Sequence, residues 1–548
     1  MPDAIVIGAG PNGLVAANIL ADAGWQVDVL EGRSEPGGAV RSDRSVHPDY
    51  VHDVFSSFHP LAVASPAIGA LDLGAFGLRW SHAPTVLAHP LLDGRAATLH
   101  RGVTATCAGL EGAFGGADAE AWQRLSRLWD DLDPYLLRTL FTPFPPVRAG
   151  AAMAARLRAA GGLRALRFLT LPVRRLAQEE FTGPGAGLLL AGCALHADLL
   201  PEGVGSGAFG WLMAMLGQQV GWPVPVGGAA ALTDALVRRL ESSGGRLHCD
   251  APVVEVVVRG GRALGVRTAD GQAYRARRAV LADVAAPALY GGLVGWEHLP
   301  SSMRADLRRF QWDLSTVKVD WALNGAVPWA APATAGAGTV HLGADLDELS
   351  DYALQLGTDR LPRRPFVLFG QMTTADPVRS PAGTESAWAY THVPRAIKDD
   401  LGPDGITGSW DPREAEAMAA RIEDQVERFA PGFKERIVAR RILTPTLLQE
   451  LNPNLVGGAI NGGTAAPHQQ LVFRPVPGTG RPETPVAGLY LASSSAHPGG
   501  GVHGACGANA ARAALRAHRL LAGRVLAPGL AAAQRLLSGP REHPHDHD

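Results

Sequence analysis

Gly8-Ala9-Gly10-Pro11-Asn12-Gly13 is a G-x-G-x-x-G turn set between a short apolar run, Ala4-Ile5-Val6-Ile7, and a helical pattern over 14–23 that Gly24 stops. Residues 27–30 then alternate apolar and polar and end at Glu31, eighteen positions after Gly13. Strand, turn, helix, strand and acid in this order make a βαβ dinucleotide-binding unit. Gly8 permits the tight turn, and Gly10 lets backbone amides approach a pyrophosphate at the helix N-terminus. Gly13 allows the helix to pack closely on the strand, and Glu31 can accept hydrogen bonds from a ribose diol. The fold class expected is therefore α/β with a Rossmann-like core.

At 548 residues the chain is long enough for two or three domains. With 50 Lys+Arg against 52 Asp+Glu, it has no bulk charge that would drive binding to nucleic acid. Lysines occur only at Lys318, Lys398 and Lys434, and the arginines are scattered among acids, so no basic patch is read from composition. The cysteines, Cys107, Cys193, Cys249 and Cys506, lie far apart with no C-x-x-C pair. A disulfide framework, a zinc site and a dithiol centre are not expected, and no metal is. No secretory leader is expected, since neither a charged n-region nor an h-region fits before the first apolar run, and the longest bland apolar stretch, 185–195, is too short to span a bilayer. A cytoplasmic protein is expected, with peripheral membrane contact as the alternative.

A second α/β stretch follows much later, with a helix over 229–240 and strands over 246–248, 253–258, 263–268 and 279–281 around the turn Asp270-Gly271. A third has a strand at 489–492 and a helix over 509–521. These pieces give one discontinuous cofactor domain from 1–65, 222–290 and 481–525, with a substrate or cap domain from 66–221 and 291–480. Residues 526–548 form a C-terminal tail whose His-, Pro- and Asp-rich end is expected to be disordered.

After Glu31 come Gly32-Arg33-Ser34-Glu35-Pro36-Gly37-Gly38-Ala39-Val40-Arg41. This resembles the extension "E, several residues, GG, then R" of two-dinucleotide-binding-domain flavoproteins. The resemblance implies FAD, with Gly37, Gly38 and Ala39 against its diphosphate and ribityl chain and Arg41 as an anchor; Gly32 and Arg33 flank the acid. Near the other end, Leu489-Tyr490-Leu491-Ala492-Ser493-Ser494-Ser495-Ala496-His497-Pro498-Gly499-Gly500-Gly501-Val502-His503-Gly504-Ala505-Cys506-Gly507-Ala508-Asn509 resembles the C-terminal signature of the phytoene desaturase superfamily. That group includes carotenoid desaturases and isomerases, retinol saturase, a class of carotenoid ketolases and the pyridine nucleotide-disulfide oxidoreductase domain-containing protein 2 group. Asn461, Gln469, Gln470, Phe473, Arg474, Pro475, Val476 and Pro477 add a likeness to the last two branches. Gly227-Gly228 and the strand residues Val253, Val254 and Glu255 extend the match, and Val254 joins the cofactor-binding set that the resemblance implies.

Gly500, Gly501, Val502 and Gly504 would offer backbone amides to the electron-rich edge of a reduced flavin. Residues 499–504 also satisfy G-x-G-x-x-G, but no room follows them for a complete βαβ unit with its acid, so one dinucleotide site is expected. His503 and Cys506 stand where relatives more often carry small, hydroxyl or proline residues, and packing is the plainer reading of both. His503 is nonetheless the first candidate for proton transfer, because it sits in the flavin-facing loop. Lys318 is the second. It lies on an alternating strand with Asp320 on its own face and Val317, Val319 and Trp321 on the other. In distantly related amine oxidases a lysine near this point reaches flavin N5 through water; pairing with Asp320 at a sheet edge is the alternative.

Residues 151–175 mix leucines with arginines as a basic amphipathic segment does, which fits a membrane surface or a cap helix with a solvated arginine face. The expectation is an FAD-dependent oxidoreductase moving hydride between a long apolar, polyene- or isoprenoid-like substrate and flavin N5. Desaturation, saturation and isomerisation stay open, with oxygen or a quinone as electron acceptor. The cap should enclose a pocket walled by Leu, Val, Phe and Trp. A flavin amine oxidase acting on a polar amine and a flavin-stabilised binding protein without turnover are the rivals.

Overall fold

A computed structural model describes residues 1–519 of the chain. The proposed tail at 526–548, and the part of the third cofactor-domain segment past 519, lie outside the described residues.

The apolar run at the start forms the strand Ala4–Ile7, wholly buried, and pairs in parallel with Val27–Leu30 and with Ala279–Ala282. Leu489–Leu491 and Arg246–His248 complete a five-stranded parallel sheet, in the order 489, 279, 4, 27, 246 by first residue. Three distant stretches thus contribute to one sheet. Apolar runs such as Ala4–Ile7 and Ala279–Ala282, buried throughout, suit the interior of such a sheet, while Arg246–His248 is its half-exposed edge. The helices Pro11–Asp22, Ala230–Ser242 and Ala505–His518 pack on it through Leu14, Val15, Leu20, Leu232, Leu236, Ala510 and Ala514. Ile68, Leu71 and Leu78 join that core from beyond residue 65, so its packing runs past the expected boundary. Val253–Arg259, Arg262–Thr268 and Ala273–Arg275 form a separate antiparallel sheet beside it.

The second body is built on a seven-stranded sheet, ordered Ile437–Leu443, Ser315–Leu323, Glu385–Val393, Val367–Gln371, Ala337–Leu342, Thr85–Pro90 and Ala96–Leu99. One face is covered by the amphipathic helix Pro412–Phe429, whose Met418, Ile422 and Val426 pack with Val317, Val319 and Trp321. A helical layer carries the largest core, in which Trp122, Trp129 and Trp211 sit among residues of the fully buried helix Gly185–Leu195. No helix among the described residues is long and apolar enough to cross a membrane.

The arginine-rich stretch folds as three helices, Val147–Ala159, Leu163–Phe168 and Val173–Glu180. Arg167 and Arg175 pair with Glu179, and Arg174 with Glu202 and Asp347. Leu163 stays 82% exposed and Val147 73%.

Candidate functional site

The glycine turn closes around a buried acid. Gly8 donates to the Leu30 carbonyl at 2.8 Å, and Gly13 to Asp283 Oδ2 at 2.8 Å. A Cβ on Gly13 would lie 2.1 Å from the Gly8 carbonyl, and one on Gly10 2.8 Å from Asp283 Oδ2. Only glycine fits at position 13, and a side chain at position 10 would have to displace the Asp283 carboxyl. Among the described residues the amides of Gly10 and Asn12 donate to no protein atom, and Asn12 Oδ1 is buried without a partner. Free amides at a helix N-terminus are what an anion needs. Asp283 follows the strand Ala279–Ala282; burial lifts its carboxyl to about 7, against the opposing pull of the Gly13 amide. Sequence reasoning missed it, though an acid directly after a buried strand of the same sheet was a usable signal.

Glu31 binds its own turn: Oε2 accepts from the Ala9 amide at 2.8 Å and Oε1 from the Arg33 amide at 3.0 Å. Arg41 bolts the following loop, donating to the Gly38 carbonyl at 3.2 Å and the Leu451 carbonyl at 3.1 Å while pairing with Glu35 at 2.8 Å. Gly37 donates to the Ala9 carbonyl at 2.9 Å, which ties the glycine pair to the turn.

These groups open onto one cavity of about 720 Å³, along with Gly8, Gly10, Gly32, Arg33, Gly38 and Ala39. Gly13 and Gly37 stand behind its wall. Val254 is not on the wall: successive strand side chains face opposite ways, so Val253 takes the wall position and Val254 is 49% exposed.

At the C-terminal signature, Gly501 and Val502 reach the cavity, and the amides of 500–502 donate to no protein atom among the described residues. Gly500 packs on Asn461, where a Cβ would lie 2.9 Å from its carbonyl oxygen. Gly504 caps Ala505–His518 against Val15, and Gly507 lies so near the Asn12 carbonyl that a Cβ would be 1.8 Å away. These glycines let the first and last helices cross in close contact.

His503 is a correction. It is buried behind the loop with both ring nitrogens engaged: Nδ1 accepts from the Ala505 amide at 3.0 Å, so Nε2 carries the proton toward the Gly499 carbonyl at 3.2 Å. Burial pushes its pKa down to about 4, it packs on Phe141, and it does not reach the cavity wall. It is a brace for the loop, with no free nitrogen for proton transfer. Cys506 is buried too, and burial raises its thiol to about 12.

Lys318 does reach the cavity. Its Nζ donates to the Asp53 carbonyl at 2.9 Å and pairs with Asp320, which Arg441 also holds at 2.8 Å. Burial lowers the lysine's pKa while Asp320 opposes it. The strand Ser315–Leu323 is flanked on both sides, so the ion pair is interior and not at a sheet edge. Lys318 lies opposite Tyr390 in register, and Trp388 stacks on Tyr390 with ring centroids 5.8 Å apart.

The remaining inner wall includes Phe58, His59, His196, Met213, Trp222 and Thr339. It is therefore more polar than the expected lining of Leu, Val, Phe and Trp. His196 Nε2 lies 2.7 Å from His341 Nε2, and burial drives the His196 pKa down to about 3. None of these inner residues stands in a local motif, which is why the sequence alone did not single them out.

The NAD(P)-binding Rossmann-like domain family matches residues 6–68. Pyridine nucleotide-disulfide oxidoreductase domain-containing protein 2 of Mus musculus is 29% identical, over 94% of this chain and 93% of that protein. Hydroxyneurosporene desaturase of Cereibacter sphaeroides is 28% identical, over 92% and 94%. A solved structure of putrescine oxidase superposes with a TM-score of 0.58 at 17% identity, over 94% of this chain and 98% of the other, a likeness of fold alone. The chain is thus similar along its length to proteins of the group that its motifs resemble, and its fold is that of two-domain flavoproteins.

Proposed function

We propose that this chain, an oxidoreductase related to the phytoene desaturase superfamily, binds FAD non-covalently and oxidises or reduces a largely apolar substrate beside the flavin ring. The observation that carries this reading is the single cavity running from the glycine turn to the aromatic wall of Phe58, Trp222, Trp388 and Tyr390. The residues fit the cofactor. Free amides at Gly10 and Asn12 suit a diphosphate, Glu31 retains acceptor capacity for a ribose, and unbonded amides at 500–502 together with the unpartnered Asn461 Nδ2 suit polar ring edges. When bound, the flavin supplies a hydride acceptor or donor.

The chain's own part is to position and to exclude water. Phe58, Trp222, Trp388 and Tyr390 present flat apolar surface, and the buried Lys318, paired with Asp320, sets a polar nitrogen beside it. Desaturation would use these parts with oxygen or a quinone as the terminal acceptor, whereas saturation would need an electron donor in its place and isomerisation neither. The expected test result is a yellow protein that releases FAD on denaturation; a colourless protein that takes up no added FAD refutes the reading.

The stacked Trp388 and Tyr390 rings favour the amine oxidase as second reading. Against it, Asp320 behind that wall is fully buried and held by both Lys318 and Arg441, so a substrate ammonium finds no free carboxylate beside those rings.

We also assign the face of Val147–Ala159 and Leu163–Phe168 to an anionic membrane surface. No acid occurs between Asp133 and Glu179 in the sequence. Arg148, Arg158 and Arg164 have no acidic partner among the described residues, and Leu163 and Leu166 are exposed beside them. Basic side chains around protruding leucines suit a headgroup layer.

A further inference from the structure

Ser57, His59 and Thr339 line the cavity fully buried, yet both ring nitrogens of His59, Oγ of Ser57 and Oγ1 of Thr339 meet no protein group. They belong to two distant segments joined by Phe58. Thr339 stands in register with Gly370 and Gly370 with Trp388, and the Phe58 ring lies 6.1 Å from the Trp388 ring, which brings 57–59 to the sheet face that carries Thr339. Buried polar atoms normally have partners, and each one left unmatched costs its lost hydration. A pure hydrocarbon against this wall would leave all of them unmatched.

The charges nearby narrow the choice of partner. Asp53 and Arg379 pair with each other at 3.0 Å, and Arg379 also holds Asp376 at 3.0 Å. Lys318 is committed to Asp320 and to the Asp53 carbonyl. Burial keeps the His59 imidazole neutral, with its pKa down at about 4. Neither a carboxylate nor an ammonium finds an uncommitted counter-charge here. A neutral oxygen does find a ring N–H, a ring acceptor and two hydroxyls.

We propose that Ser57, His59 and Thr339 form a polar recess that docks a hydroxyl or carbonyl oxygen of an otherwise apolar substrate, with His59 as the residue that selects for it. The inference rests on the FAD-dependent reading and names the substrate class of that same site. The cavity supports a compact substrate. Its volume of about 720 Å³ falls within the roughly 300–1,000 Å³ that a drug-sized ligand alone occupies, and the cofactor must share it.

The test uses the purified flavin-loaded protein, its flavin content read by absorbance, and two probes: geraniol, and the hydrocarbon in which hydrogen replaces its hydroxyl. Binding is followed by quenching of tryptophan fluorescence, since Trp222 and Trp388 line the cavity. Wild type should bind geraniol about tenfold more tightly or better, as expected when a buried hydrogen-bonding site meets its partner. His59→Leu should bring the two affinities to within about twofold at unchanged flavin content, and His59→Gln should restore part of the preference. Thr339→Val keeps the side-chain shape and should lower the ratio several-fold, which tests the recess even where His59→Leu fails to fold. Equal binding of the two probes by wild type overturns the proposal. So does loss of flavin from His59→Leu in step with loss of geraniol, because His59 would then serve the cofactor. A protein without flavin that still prefers geraniol refutes the FAD reading and leaves the recess standing.

Discussion

Replacing Asp283 with Asn should make the protein more stable, by an amount that grows with pH. The Asp283 carboxyl is buried against the glycine turn, where burial lifts it from an ordinary 3.8 to about 7. The gap corresponds to ~4 kcal/mol of penalty once the native carboxyl ionises, at 1.36 kcal/mol per pH unit. The sign follows from proton counts: between these two values the native state holds a proton that the unfolded chain has lost, so stability falls as pH rises. Asn cannot ionise, and its amide oxygen can still accept from the Gly13 amide that Asp283 Oδ2 accepts from at 2.8 Å. Other titrating groups act equally on both proteins and cancel in the difference. From pH 5 to pH 8 the stability advantage of Asp283→Asn should therefore widen by ~3 kcal/mol, read from urea unfolding of the cofactor-free proteins. A diphosphate at the Gly10 and Asn12 amides would hold the carboxyl protonated further up the pH scale. FAD affinity of wild type should then fall above pH 7, while that of Asp283→Asn stays level. Parallel stability profiles across this range would refute the reasoning, since the buried acid would then carry no ionisation penalty.

Glu31→Ala should weaken FAD by about 1–3 kcal/mol through lost hydrogen bonds at the ribose and at the Ala9 and Arg33 amides, as read by equilibrium dialysis. NADH and NADPH should fail to bleach the flavin quickly in anaerobic stopped flow; fast bleaching would reveal a nicotinamide site. His503→Ala should lower the melting temperature by removing the brace between the Gly499 carbonyl and the Ala505 amide. A variant as stable as wild type whose flavin reduction is slowed about 10²-fold would return His503 to catalysis. Leu163→Ser with Leu166→Ser should reduce co-sedimentation with phosphatidylglycerol vesicles relative to wild type, and equal binding would sink the membrane assignment.

What was legible in the sequence was local. The turn at Gly8, Gly10 and Gly13, its acid Glu31 and the strands at 246–248, 253–258 and 263–268 each lie within one short run, where residue type and spacing suffice. Alternation also set Val317, Val319 and Trp321 on one face and Lys318 with Asp320 on the other, and the structure packs the first set into a core. What failed was side-chain direction inside irregular loops. The signature around His503 fixes a glycine-rich path, but whether the imidazole turns to the cavity or behind it depends on the Ala505 amide and on Phe141, which arrives from a helix far back in the chain. Val254 failed by a single position, which is enough in a strand to exchange wall for solvent.

The inner wall was illegible for a deeper reason. All strands of the parallel sheet end on one side, so Gly8, Glu31, Asp283 and Ser494, which follow four different strands, converge there. A repeated strand-then-residue pattern of that kind can be read one segment at a time. On the seven-stranded sheet, Lys318, Thr339 and Tyr390 come from three strands linked only by register, and Ser57 and His59 from the loop that crosses to meet them. No spacing in the chain encodes that meeting. The two halves of the site therefore answer to different constraints: on the FAD reading proposed above, changes at Thr339 or His59 would alter what is bound beside the flavin, while the glycine turn, built from backbone, would keep the cofactor.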